Sequence, residues 1–169
     1  MICIVMGVSG SGKTTVGREL AQALSLPFYD ADDFHSAANV EKMRQGTPLT
    51  DEDRHGWLAA LAAGITKWEK AGGAVLACSA LKEKYRAVLQ AAAAHAVFWV
   101  VLEGSKELLV SRMRTRSGHY MKEQMLNSQL ADYESPTYGL HLSIEASPEE
   151  LVRQTVEFLR KQKGEKAPR

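Results

Sequence analysis

The chain has 169 residues, 45% of them hydrophobic and 24% charged, and its formal net charge is +1. That length holds one domain with a full core, and the composition excludes a disordered chain. With no overall basic field to hold a phosphate backbone, nucleic acid is not an expected partner.

The first apolar run, Met1 to Met6, reads as a buried strand. It stops at Gly7, too soon for a signal peptide or a membrane span, so no membrane partner is expected. Next comes Gly7-Val8-Ser9-Gly10-Ser11-Gly12-Lys13-Thr14, which fits the pattern G-x-x-x-x-G-K-[ST] in full. Thr15 follows, and Val16, Leu20, Ala23 and Leu24 recur at helical spacing, which predicts a helix over Thr14–Leu24. Strand, loop and helix in this order make a phosphate site. Glycines let the backbone bend tightly so that an anion reaches its N–H groups. The helix start adds unpaired donors and the positive end of a dipole. Lys13 brings a charge to the outer phosphates, and the Thr14 hydroxyl is a candidate Mg²⁺ ligand.

A second strand is predicted at Pro27–Asp30, running into Asp30-Ala31-Asp32-Asp33-Phe34-His35. Acidic turns are usually only solvated. Beside a phosphate loop, one carboxylate helps hold Mg²⁺ through water and another accepts the proton of an attacking hydroxyl. Residues i and i+2 of a strand share a face, so extended backbone through Ala31 would aim Asp30 and Asp32 at the phosphates at different depths. Asp30 is then the metal-side group and Asp32 the acceptor-side group, with the reverse assignment open. The third predicted strand, Ala74–Cys78, ends in Ser79 rather than an aspartate, which leaves the acidic duty to Asp30 or Asp32.

Helices are predicted at Ala37–Gln45, stopped by Gly46, and at Asp51–Lys70, capped by Thr50 with Asp53 at the third position and stopped by Gly72-Gly73. Leu81–Ala94 and Lys106–Arg114 follow, and Ser147-Pro148-Glu149-Glu150 reads as a capping box opening Pro148–Lys161. Strands fall at Ala96–Leu102 and His141–Glu145, and the tail over 164–169 reads as frayed. Such alternation means an α/β fold, a parallel five-stranded sheet flanked by helices in one domain over 1–169, with ligands at the carboxyl ends of the strands. Cys3 and Cys78 lie inside strand-like runs and read as buried hydrophobes, in keeping with the reducing cytoplasm.

Polar and cationic groups collect where an acceptor would lie: Asn39, Lys42, Arg44, Asp53, Arg54, His55 and, after the third strand, Lys82 and Arg86. The last two are four apart, which predicts one helical face near a helix start. Cations there oppose the helix dipole, so an anion is their expected partner. The Arg54 fork suits a carboxylate, and Trp57 reads as core.

Together these residues resemble the gluconokinase family, small P-loop kinases related in architecture to shikimate and nucleoside-monophosphate kinases. The resemblance runs from about Ile4 to Pro136. It is carried by MGVSGSGKTT (Met6–Thr15), FYDADDFH (Phe28–His35), NVEKM (Asn39–Met43), GTPLTDEDRHGW (Gly46–Trp57), ACSALKEKYR (Ala77–Arg86), RMRTRSGHY (Arg112–Tyr120) and Ser128-Gln129 with Glu134 and Pro136. Ser36 and Gly56 stand where the family has proline, and Leu130 where it has phenylalanine.

The resemblance implies a P-loop NTPase fold of the nucleoside-monophosphate-kinase type with a lid over about 112–135. It implies ATP-dependent phosphorylation of D-gluconate to 6-phospho-D-gluconate with Mg²⁺, commonly by a homodimer. On this footing Gly7, Val8, Ser9, Gly10, Ser11, Gly12, Lys13, Thr14 and Thr15 hold ATP, and Thr14 and Asp30 serve Mg²⁺. Lys13, Asp32 and Arg116 are the catalytic residues. His35, Lys42, Arg54, Ser79, Lys82 and Arg86 join Asp32 around gluconate. Arg112 and Arg116 close over ATP from the lid, with Gly118 as hinge and His119 and Lys122 nearby, while Arg114 faces solvent. A shikimate kinase would show a glycine-rich turn after the third strand, which Ala77-Cys78-Ser79-Ala80 lacks. A non-catalytic ATP-binding module would not need both Asp30 and Asp32.

Overall fold

The computed structural model describes residues 1–117 and 120–165, with side chains described for 1–115 and 123–164. The strands are β1 (Ile2–Met6), β2 (Phe28–Asp30), β3 (Ala74–Cys78), β4 (Phe98–Glu103) and β5 (Leu140–Ser143). The helices are α1 (Lys13–Leu24), α2 (Ala37–Arg44), α3 (Asp51–Lys70), α4 (Glu83–Ala92), α5 (Lys106–Ser117), α6 (Tyr120–Asp132) and α7 (Pro148–Glu165). All strand pairs are parallel, in the order β2-β3-β1-β4-β5.

β1 is central, paired with β3 from Ile2–Ala74 to Met6–Cys78 and with β4 from Cys3–Phe98 to Met6–Val101. Every residue of β1 and β3 is buried, which is why both read as continuous apolar runs rather than as alternation. α1 packs on α7 and on β1, β2 and β3, while α3 packs on α4 and on β1 and β3. The β1-to-β2 and β2-to-β3 crossings run in opposite directions, so right-handed connections put α1 and α3 on opposite faces of the sheet. Between the layers Ile4, Val5, Leu20, Leu61, Ile65, Leu76 and Leu89 are shut from solvent. Truncating one such leucine to alanine costs about 2–5 kcal/mol.

The five strands lie within a few residues of their predicted places, but other features depart. The backbone does not stay extended through Ala31: a 3₁₀ turn over Ala31–Phe34 begins there, because the Asp30 carboxylate accepts the Asp32 N–H at 3.0 Å and caps it. α4 starts at Glu83, so Lys82 is its cap residue and not a member of a helical face with Arg86. α5 runs past Arg114 to Ser117, and α6 was not foreseen as a helix. The Thr50–Asp53 box is complete, with bonds of 3.1 and 2.9 Å. At α7 only half forms: the Glu150 N–H reaches Ser147 Oγ, but the Glu150 carboxylate turns forward to Arg153 and Gln154. α7 continues to Glu165, and the rest of the tail lies outside the described residues.

Candidate active site

The loop from Gly7 to Gly12 leaves the central strand between the ends of β3 and β4 and enters α1. Gly10 and Gly12 take φ of 84° and 85°, the left-handed region that favours glycine. Gly12 is the N-cap of α1 and offers no side chain, and the Val16 N–H is the one that bonds back to it at 2.9 Å. The N–H groups of Lys13, Thr14 and Thr15 are therefore the orphan donors of the helix start. Ser11 Oγ is buried and has no hydrogen-bond partner among the described residues. Orphan N–H groups at the positive end of a helix are a seat for phosphate oxygens.

Two clefts meet at this loop. One is lined by Ser9, Gly10, Lys13, Asp32, His35, Arg54, Trp57 and Ser79, with Met125, Ser128 and Gln129 of α6 closing it. The other is lined by Gly10, Gly12, Thr15, Arg112 and Thr115, with the chain between β5 and α7 forming its far side. Arg112 Nη2 donates to the Ile144 carbonyl there. Gly10 belongs to both walls.

The two aspartates divide in depth. Asp30 Oδ2 accepts the Thr14 hydroxyl at 3.0 Å while Oδ1 caps the 3₁₀ turn, so both of its oxygens are engaged at the root of the loop. Asp32 stands in that turn and lines the first cleft. What separates them is the turn and not a shared strand face. A hydroxyl and a carboxylate oxygen side by side are hard donors of the kind Mg²⁺ takes. No group of three or more Asp, Glu, His or Cys that could hold a metal occurs among the described residues.

Trp57 is buried as expected, but it is also part of the cleft. Its Nε1 donates to the Ala31 carbonyl at 2.7 Å, fixing the start of the turn that carries Asp32. Its ring stacks on His35 with centroids 4.6 Å apart. His35 Nδ1 lies 3.4 Å from Asn39 Nδ2, whose amide also donates to the Asp53 carbonyl at 2.8 Å. An amide donor on Nδ1 leaves the imidazole proton on Nε2. Burial holds the His35 pKa below its ordinary 6.5, outweighing the pull of Asp32.

The cations sort into two kinds. Arg54, 8% exposed, reaches the cleft wall. Its Nη1 donates to Tyr85 Oη at 2.8 Å and to Asp132 Oδ2 at 3.1 Å, and its Nε and Nη2 have no hydrogen-bond partner among the described residues. Tyr85 Oη in turn donates a hydrogen bond to Asp51, which also accepts from Lys82 and Lys84. Lys84, Tyr85 and Lys82 hold the Asp51 carboxyl well below the usual carboxylate range.

Lys42, Lys82 and Arg86 do not line the cleft. Lys42 sits 2.9 Å from both oxygens of Asp53, whose pKa is lowered to about 2 by the Thr50 backbone and by Lys42. Lys82 is 2.9 Å from Asp51. Arg86 is the clear correction: its side chain is 1% exposed. It donates to the carbonyls of Ala80, Leu81 and Glu134 at 2.7, 3.2 and 2.7 Å, and to Glu83 and Tyr138. It pins the turn after β3, where Ala80 takes φ of 44° without being glycine, and so presents Ser79 to the cleft. Arg114 is exposed and pairs with Glu123. Gly118 and His119 lie outside the described residues, and the side chains of Arg116 and Lys122 outside the described side chains.

Sequence reasoning missed the α6 wall. Gln129 Oε1 accepts the Ser9 N–H at 2.8 Å, and Asp132 holds Arg54. Ser128-Gln129 was visible as a matching dipeptide, but nothing local marked it as facing the phosphate loop.

A family model described as shikimate kinase matches residues 9–160. A gluconokinase of Gluconobacter oxydans is 48% identical over 134 residues, covering 79% of this chain and 75% of its own. The crystal structure of a gluconokinase from Sinorhizobium meliloti superposes with a TM-score of 0.86 at 37% identity, covering 95% of this chain and 91% of the other. A shikimate kinase from Aquifex aeolicus superposes at 0.58 and 20% identity, covering 96% of this chain and 98% of its own, a likeness of fold alone.

Proposed function

Because the chain belongs to the gluconokinase family, within the wider set of shikimate-kinase-like P-loop kinases, we propose that it transfers the terminal phosphoryl group of ATP to D-gluconate. The observation that carries the reading is the phosphate loop standing as a shared wall between two clefts. ATP enters from the Thr15–Arg112 side, its phosphates cross the loop, and the acceptor lies on the Asp32–Arg54 side.

In the reaction the terminal hydroxyl oxygen of gluconate bonds to the γ-phosphorus, and the bond from that phosphorus to the β–γ bridging oxygen breaks, giving 6-phospho-D-gluconate and ADP. Asp32 orients the hydroxyl and takes its proton. Lys13 and the orphan N–H groups of α1 hold the charge that spreads over the phosphoryl oxygens. The free Nε and Nη2 edge of Arg54 pairs with the gluconate carboxylate. His35, neutral on its Trp57 shelf, and Ser79 offer hydrogen bonds to sugar hydroxyls. Mg²⁺, when bound beside Thr14 and Asp30, neutralises phosphate charge. Arg116 and Arg112 remain our lid-side contacts to ATP. We exclude Arg86 from the substrate set, because its donors are spent on carbonyls, and Lys42 and Lys82 contribute only through the carboxylates they hold.

We also read the protein as a homodimer, on the family resemblance, and as cytoplasmic, the compartment that its buried cysteines fit. No described helix is long and apolar enough to cross a membrane, and Cys3 and Cys78 are buried and unpaired. The test is ADP release with gluconate, shikimate and nucleoside monophosphates as rival acceptors. Gluconate alone should support turnover, and preference for shikimate would sink the acceptor assignment. Light scattering on the purified protein tests the dimer.

A further inference from the structure

α6 presents Met125, Ser128, Gln129 and Asp132 along one helical face, and the first three line the cleft. Leu126, fully buried, anchors the same helix in the core. The face is fastened at two points: Gln129 to Ser9 of the phosphate loop, and Asp132 to Arg54 on the acceptor side. A backbone N–H can only donate, so the Gln129 atom 2.8 Å from Ser9 N is its oxygen, and the amide orientation is settled by chemistry. The Nε2 end then has no hydrogen-bond partner among the described residues. It carries two donors, and Gln129 lines the same cleft as Lys13 and Asp32.

Phosphoryl oxygens are acceptors only. A fixed amide N–H beside them makes a charge-assisted hydrogen bond and adds no competing negative charge. We propose that Gln129 contacts the terminal phosphoryl group of ATP through Nε2 while Oε1 keeps the Ser9 amide, making α6 part of the phosphoryl site and not only its cover. The inference rests on the kinase reading for the position of that group. It goes beyond that reading in naming a contact that appears only when the third phosphate is present.

The experiment compares Gln129→Ala and Gln129→Glu with the parent protein. Glutamate keeps an acceptor for the Ser9 N–H but replaces the phosphoryl donor with a negative charge. Binding of ADP and of a non-hydrolysable ATP analogue is measured by calorimetry with Mg²⁺, and turnover is measured with gluconate. The expected result is ADP affinity within about twofold of the parent in both variants, analogue affinity and kcat down about 10-fold or more in Gln129→Ala, and a larger loss in Gln129→Glu. KM for gluconate should hold. If Gln129 only fastens the helix, Gln129→Glu stays near the parent and Gln129→Ala is the impaired one, which overturns the proposal. Equal weakening of ADP and the analogue overturns it too. If the parent binds both nucleotides as expected but does not turn over gluconate, the acceptor assignment fails and this contact stands.

Discussion

Two groups of cations surround the cleft, and they are alike in sequence and unlike in use. Lys13 and Arg54 present charge to the cleft. Lys42, Lys82 and Arg86 satisfy Asp53, Asp51 and a set of backbone carbonyls instead. The difference is one of accounting at each head group. Arg54 spends a single nitrogen on Tyr85 and Asp132, whereas Arg86 places all three nitrogens on the protein itself. A cation near a site is a ligand group only when some of its donors are left over.

The contrast is broken or sharpened most by the residues at the reacting atoms. Lys13→Ala should lower kcat by about 10²–10³-fold with an unchanged melting temperature, since its charge acts on the phosphoryl group and not on the fold. Retained turnover would remove Lys13 from the first group. Asp32→Asn should lower kcat by roughly 10²–10⁴-fold, the range for a general base, and added Mg²⁺ should not restore it. Asp30→Asn should be partly restored by Mg²⁺, because its oxygens face Thr14. Rescue of the Asp32 variant instead would reverse the two roles.

A smaller effect separates the two arginines. Arg54→Ala should raise KM for gluconate about 10-fold or more while KM for ATP changes little. Arg86→Ala should leave KM values near the parent's but cost roughly 3 kcal/mol or more of stability in urea unfolding, because buried carbonyls lose their donors. If Arg86→Ala raised KM for gluconate selectively, the division between used and spent cations would fail. Lys42→Ala should shift stability by no more than about 1 kcal/mol, as a partly exposed pair does.

The smallest effect is a pH dependence. Burial keeps folded His35 from taking a proton that the unfolded chain accepts below about 6.5. The unfolded state then binds more protons, so this contribution to stability is whole above that pH and declines as pH falls through the lowered folded value. His35→Asn should therefore lose less melting temperature than the parent between pH 7 and pH 5.5, by about 2 °C. An identical decline in both would mean that His35 is not the group responsible.

The sheet and the phosphate loop were legible because their signals are local. β1 and β3 are unbroken apolar runs, and the Gly7–Thr14 motif needs only its own backbone and the helix it starts. The 3₁₀ turn was less legible: Asp30 caps it with its own side chain, a choice between strand and turn that one hydrogen bond decides. α6 was missed because its polar residues face inward to a cleft, the reverse of the pattern that marks a helix on a core. Arg86 was misread because its partners, from Ala80 to Glu134, come together only in the folded chain.

Gly10 stands in the walls of both clefts, so the loop is a partition as well as a cradle. A partition gives each product its own exit. On the proposed reading, ADP would leave past Arg112 and the phosphorylated acid past Arg54, by separate mouths. Product-inhibition kinetics check this: ADP should compete with ATP and not with gluconate.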